Sequence, residues 1–194
     1  MSSLRDLVSG IENVLVPLRS GTERLLGARL RTSDFPWLGI SSRDFVHGGA
    51  IPVRCTADGD DASPDLHWHA VPAKASELIL VCEDADSPTP KPFVHWVVYR
   101  IPPSLRELPT GLPATWAVVE GEGMKQGMNG RKRCAYDGPS PPPGHGVHRY
   151  HFQLFALREP YAGSTPPTRD DLVKVLHDNV VGFGETVGLY ERAR

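Results

Sequence analysis

A mainly β, sandwich-like domain with peripheral helices, preceded by a helical N-terminal extension, is the fold class this sequence predicts. Three observations carry that expectation. From about residue 35 onward, short apolar runs alternate with Pro- and Gly-rich stretches. The nineteen glycines and nineteen prolines among 194 residues cluster between those runs and form no low-complexity tract. Only one segment after residue 35 has helical spacing.

Residues 1–34 read as the extension and 35–194 as the domain. Leu4, Leu7, Val8, Ile11, Val14, Leu15 and Leu18 follow helical spacing, with Ser3 as N-cap and Asp6 in the first turn. Pro17 kinks or ends that helix. Leu25, Leu26 and Leu30 make a second, weaker stripe. A short helix is marginal alone in water, so its apolar stripe is expected to be buried, and a homodimer is the expected way. Strands are expected at 53–55, 66–69, 77–83, 94–101, 118–120 and 149–157. A helix is expected over 168–180, where Thr168 can cap, Asp170 and Asp171 suit the first turn, and Leu172, Val175 and Leu176 share a face.

Composition excludes several function classes. A formal charge of −2 offers no global attraction to nucleic acid. The cysteines, Cys55, Cys82 and Cys134, are odd in number and form no Cys-x-x-Cys pair, so neither a disulfide framework nor a thiolate zinc site is expected. No signal-peptide pattern and no apolar run long enough to span a bilayer is present, which points to the cytoplasm and against stable membrane insertion. Nucleotide-binding glycine loops and the Gly-x-Ser-x-Gly elbow are missing, so no cofactor is expected. His145, His148 and His151 are regularly spaced, but residues three apart on a strand face opposite ways, and no metal is expected.

Three polar groups stand at strand ends beside turns. In Leu78-Ile79-Leu80-Val81-Cys82-Glu83-Asp84-Ala85-Asp86-Ser87-Pro88 a strand runs into a turn with two carboxylates. Period-two geometry puts Asp84 and Asp86 on one side if the extension persists. In Phe93-Val94-His95-Trp96-Val97-Val98-Tyr99, alternation sets Phe93, His95, Val97 and Tyr99 on one face and Val94, Trp96 and Val98 on the other. Both faces are apolar, so the strand is expected to be buried on both sides, and His95 then needs partners. The third stretch, Gly138-Pro139-Ser140-Pro141-Pro142-Pro143-Gly144, leads through His145-Gly146-Val147 into His148-Arg149-Tyr150. That rigid loop feeds a strand with His148 and Tyr150 on one face and Arg149, given a structural role, on the other.

These three stretches together resemble the phosphatidylethanolamine-binding protein family, most closely its bacterial, Raf-kinase-inhibitor-like branch. Asp58-Gly59, Ser63-Pro64, Leu66-His67-Trp68 and Gly188-Leu189-Tyr190 extend the likeness over about residues 35–192. The resemblance implies the β-sandwich-like fold of that family, with a small pocket for an anion such as a phospholipid head group or a phosphorylated side chain. Carried over residue by residue, Asp84, Asp86, His95, His148 and Tyr150 are its polar members. Pro88, Pro141, Pro142 and Gly144 match its walls, and Phe93 its mouth. Arg131-Lys132-Arg133 replaces a more neutral loop.

Two imidazoles and a phenol can donate to an oxyanion, and His148 is expected to matter more than Tyr150. Asp84 would either hold His95 in one tautomer or accept from a ligand ammonium. The expected function is therefore non-enzymatic binding of an anionic or phosphoryl ligand, possible regulation of a protein partner included. Two alternatives stand beside it. One is a hydrolase with His95 or His148 as base and Asp84 orienting it. The other is an interaction module acting through the N-terminal helix.

Overall fold

The computed structural model describes residues 18–28, 30, 34–117 and 123–193. In chain order its strands are β1 (Gly49–Ala50), β2 (Leu66–His67), β3 (Glu77–Asp84), β4 (Phe93–Ile101), β5 (Glu107–Leu108), β6 (Lys125–Gln126), β7 (His148–Leu157) and β8 (Val180–Tyr190), with helix α1 (Arg169–Leu176) between the last two. Six strands form one mixed sheet in the order β1-β8-β7-β3-β4-β6, with β1 parallel to β8 and the other pairs antiparallel. β2 and β5 pair separately.

The central strands are apolar on both faces because both faces are covered. Leu78, Leu80 and Cys82 of β3 join Phe152 and Leu154 of β7 in one core, roofed by Leu38, Phe45 and Ile51 and by Leu66 and Leu108 of the small sheet. Ile79 and Val81 point the other way, into a second core with Phe155, Leu157, Phe183 and the α1 residues Leu172 and Leu176. That two-layer covering makes the fold sandwich-like. No helix among the described residues is long and apolar enough to cross a membrane.

Several expected elements take another form. Residues 53–55 are a 3-10 turn, closed by Cys55 N–H donating to the Pro52 carbonyl. The strand expected at 66–69 stops at His67, and Ala70 has a φ of 60°. Helix α1 has the expected Thr168 cap with a reciprocal Asp171 box, but ends at Leu176, because His177 is extended and Asp178 has a φ of 56°. The helix over Leu4–Leu18, the dimer contact expected of it and the strand at 118–120 fall wholly or mostly outside the described residues.

β1, β5, β6 and β8 were not indicated by sequence patterning, and β8 is the longest of the four. Gly182, Gly184 and Gly188 of β8 lie on one strand face against crossing chain. A Cβ on Gly184 would stand 2.0 Å from the Leu38 carbonyl oxygen, and one on Gly188 would stand 2.4 Å from Ile51. Glycine is required there by close approach of a neighbouring segment.

The described part of the leader lies along the sheet. Ser20 and Gly21 N–H groups donate to the Ser87 and Ala85 carbonyls, and Leu26 N–H donates to the Glu83 carboxylate at 2.8 Å. Leu25 is buried, and Leu26 and Leu30 pack on the second core.

Candidate functional site

β3 ends where β4 and β7 begin, and register makes their end residues neighbours. Asp84 is paired with Phe93 on one side and with Tyr150 on the other. Side chains from three strands therefore converge within cross-strand distance.

His95 reaches that convergence through an irregularity. Cys82 pairs with Trp96 and Glu83 with Val94, so His95 is the extra residue of a β-bulge. The bulge breaks the expected alternation: Val94, Val97 and Tyr99 enter one core and Trp96 and Val98 the other. His95 turns toward Tyr150, its ring edge-on at 5.0 Å between centroids. Strict period-two reading had placed it with Val97 and Tyr99.

Around these side chains lies a cavity of about 210 Å³. Asp84, Pro88, Phe93, His95, Pro141, Pro142, His148 and Tyr150 line it, as do Ser87, Thr89, Arg131 and Ser140, which sequence reasoning missed. Ser87, Thr89 and Ser140 flank the recognised prolines. Arg131 belongs to the basic triplet noted above as a departure, with no spacing signal tying it to the pocket.

Asp86 and Gly144 do not line the cavity. Asp86 leaves the extended path at the turn, where its N–H donates to Asp84 Oδ1 at 2.8 Å. Its fully buried carboxylate instead accepts from Arg149 Nε and Nη2 at 2.8 and 2.7 Å and pairs with Arg19 Nη1 at 2.7 Å. Arg149 thus has the structural role expected of it. Gly144 has a φ of 73° and serves the turn in which His145 N–H donates to the Pro142 carbonyl.

The second oxygen of Asp84 orients His148, not His95. His148 Nδ1 donates to Asp84 Oδ2 at 2.7 Å, and its Nε2 shares a hydrogen bond with His145 Nδ1, also at 2.7 Å. Both ring nitrogens of His148 are engaged. His95 Nδ1 donates to the Asp137 carbonyl, so its Nε2 is the nitrogen left for the cavity. The Tyr150 hydroxyl is buried and has no hydrogen-bond partner among the described residues.

Burial lowers the His95 pKa, against the opposing pull of Asp84, so the free imidazole is neutral near pH 7. Burial, with the Asp84 charge beside it, pushes the Tyr150 phenol far up, and it stays a donor at any ordinary pH. Two ion clusters flank the cavity. Arg131 and Arg133 share the Asp137 carboxylate, while Arg19 and Arg149 share Asp86. Each cluster carries one excess positive charge. Among the described residues no group of three or more His, Cys, Asp or Glu is placed to hold a metal ion.

Burial raises the Asp86 carboxyl pKa, but the hydrogen bonds from Arg149 and Arg19 outweigh it and hold it well below the usual carboxylate range. Stability from this group is fully present above about pH 4, the unfolded value, and drains away as pH falls toward the lower folded value. Asp86→Asn is therefore expected to melt below the parent at pH 6, with the gap closing below about pH 4. Calorimetric melts across that range check it, and a gap independent of pH contradicts the assignment.

Comparison with known proteins agrees with the geometry. Residues 41–191 match the family model described as phosphatidylethanolamine-binding protein. A UPF0098 protein of Aquifex aeolicus is 40% identical over 154 residues, covering 79% of this chain and 88% of that one. Phomoidride biosynthesis cluster protein B of a fungus is 33% identical over 165 residues, 80% of this chain and 79% of its own. Among solved structures, a putative phosphatidylethanolamine-binding protein homologue of Chlamydia trachomatis superposes with a TM-score of 0.71 at 28% identity, over 80% of this chain and 98% of that one. An E. coli protein titled a new member of the mammalian PEBP family gives a TM-score of 0.73 over 79% of this chain and 98% of that one; at 24% identity it speaks for the fold alone.

Proposed function

The chain belongs to the phosphatidylethanolamine-binding protein family, and on that premise we propose that its cavity binds an anionic or phosphoryl group without turning it over. The observation that carries this reading is the buried Tyr150 hydroxyl, a donor with no acceptor among the described residues. Leaving such a group unpaired costs about 1–3 kcal/mol, and a ligand acceptor removes that cost. An anion suits the surroundings, because Asp84 already accepts from the Asp86 N–H and His148 while Arg131 brings a cation to the wall. Size supports a small group: about 210 Å³ is below the ~300–1,000 Å³ of drug-sized pockets.

Binding is coupled to a proton on His95. With Nδ1 donating to the Asp137 carbonyl, neutral His95 presents a lone pair to the cavity, which an anion would oppose. A protonated ring presents N–H instead. Bound anion therefore raises a pKa that burial had lowered, and between the free and bound values the complex takes up a proton. Affinity is flat above the bound value, rises as pH falls through it, and levels below the free value, itself under the ordinary imidazole pKa of about 6.5.

Dimethyl phosphate is the probe, since a diester keeps its charge where a monoester would titrate. Calorimetry between about pH 5 and 8, in buffers of different ionisation enthalpy, is expected to show binding with up to one proton taken up. Binding without proton exchange removes His95 from the account. No heat at millimolar diester, or release of alcohol from it, contradicts the proposal itself.

A further inference from the structure

Away from the anion cavity, the segment that precedes β1 and the end of β2 bring a hydroxyl, an imidazole and a carboxylate together. Ser41 and His67 form an isolated antiparallel bridge, each N–H donating to the other's carbonyl at 2.9 Å. That pairing sets their side chains on one face, and Ser41 Oγ lies 2.8 Å from His67 Nε2. The other ring nitrogen, Nδ1, faces Asp65 Oδ1 at 3.5 Å and is buried with no hydrogen-bond partner among the described residues. None of the three residues lines the Tyr150 cavity.

Charge decides which ring nitrogen carries the proton. A lone pair on Nδ1 would face the Asp65 carboxylate, whereas an N–H there is attracted to it. With the proton on Nδ1, Nε2 is the acceptor and the Ser41 hydroxyl donates to it. Asp65 is itself fixed in place. Its Oδ1 accepts from Arg43 N–H and its Oδ2 from Arg43 Nη1, both at 2.9 Å, while Arg43 Nη2 donates to Glu107. Asp65 is buried, His67 partly exposed and Ser41 exposed, so the hydroxyl stands at the end a substrate can reach. Ser42 N–H, next in the chain, donates to no group among the described residues, which leaves it for a developing oxyanion.

We propose that Ser41, His67 and Asp65 form a second site, a serine nucleophile with its base and a positioning carboxylate, that hydrolyses small acyl esters. Ser41 Oγ attacks the ester carbonyl carbon while its proton passes to His67 Nε2. The tetrahedral oxyanion collapses, the bond to the leaving oxygen breaks, and the alcohol departs with the proton from His67. Water, deprotonated by His67, then attacks the acyl-Ser41 carbonyl, and the carboxylic acid leaves as Ser41 recovers its proton. Ester and water thus give acid and alcohol with no redox partner. His67 acts as base and then as acid, and Asp65 acts through the ring alone. This site does not depend on the anion-binding reading above.

Two probes test it on the full chain. An alkyl fluorophosphonate is expected to label the native protein at about one equivalent, its P–F bond replaced by a bond to Ser41 Oγ, as located by peptide mass spectrometry. Heat-denatured protein should stay unlabelled. p-Nitrophenyl acetate is expected to be turned over with saturation. Ser41→Ala should abolish labelling and turnover, and it retains the backbone bridge to His67. His67→Gln should slow turnover by roughly 10²–10⁴-fold. Asp65→Asn keeps an oxygen for Arg43 N–H and should lower kcat by about tenfold with KM within about twofold, a split that mere loosening of the fold would not give.

Fluorophosphonate found on another residue in place of Ser41, or no label at all, overturns the proposal. Turnover that survives in Ser41→Ala also overturns it, as does an unchanged kcat in Asp65→Asn. Millimolar dimethyl phosphate, the probe of the Tyr150 cavity, should leave the rate unchanged. Inhibition by it places the chemistry in that cavity and removes it from Ser41. The labelling is read on the unsubstituted protein, so it decides even if a variant does not fold.

Discussion

Tyr150→Phe is expected to weaken dimethyl phosphate binding by roughly ten- to 150-fold, the span of a hydrogen bond to a charged group at ~1.5–3 kcal/mol. The same substitution should leave the unliganded protein at least as stable as the parent. In the free protein the hydroxyl is buried with no partner among the described residues, so its removal deletes a polar group that burial penalises. For a chain of this size each kcal/mol moves Tm by about 2–4 °C, and the shift should be upward. Opposite signs in the two measurements distinguish a ligand contact from a structural residue, for which stability and binding fall together. Calorimetric titration and thermal melting on one preparation give both. Affinity within twofold of the parent would sink the assignment. The ranking reverses what the sequence implied, because His148 spends one nitrogen on Asp84 and the other on His145.

The second large effect is on the fold. Glu83→Ala is expected to cost roughly 3–5 kcal/mol, the usual penalty for removing one partner of a buried ion pair. The Glu83 side chain is fully buried and that of Arg169 mostly buried, with Arg169 Nε donating to Oε1 at 2.7 Å. The other oxygen accepts from Leu26 N–H and Gln153 Nε2, both at 2.8 Å, so three donors lose their acceptor at once. Tm should drop by roughly 6–20 °C. Replacing both partners together, Glu83→Met with Arg169→Met, should recover much of that loss, since apolar pairs of similar volume are often as stable as buried ion pairs. A Glu83→Ala melt within 2 °C of the parent contradicts this account. Leu26 ties the pair to the leader, so the variant should also make residues 18–30 easier for proteases to cut.

Much of the domain was legible locally. β3, β4 and β7 are long apolar runs, and their ends were placed within a residue because carboxylates, prolines and glycines punctuate them. The Thr168 cap of α1 was readable for the same reason, since a cap is a bond between residues three apart. Of the ten residues that the family resemblance implied for the pocket, eight line the cavity. Misses were also systematic. β8 hid behind glycines whose purpose is contact with Leu38 and Ile51, residues far away in the chain. Residues 53–55 are only three long, and nothing in their pattern separates a 3-10 turn from a strand.

By itself the sequence determined which side chains stand at the ends of which strands, because residue chemistry and a period of two operate over a few positions. Only the tertiary structure decided what those side chains do. A one-residue bulge between β3 and β4 turned His95 toward Tyr150. Arg19 and Arg149 drew Asp86 away, while Asp84 met a histidine 64 positions along the chain. Arg131 entered the wall because Asp137, itself under His95, holds its guanidinium. Each outcome depends on strand register and on hydrogen bonds between distant segments, and such pairings leave no trace in local spacing.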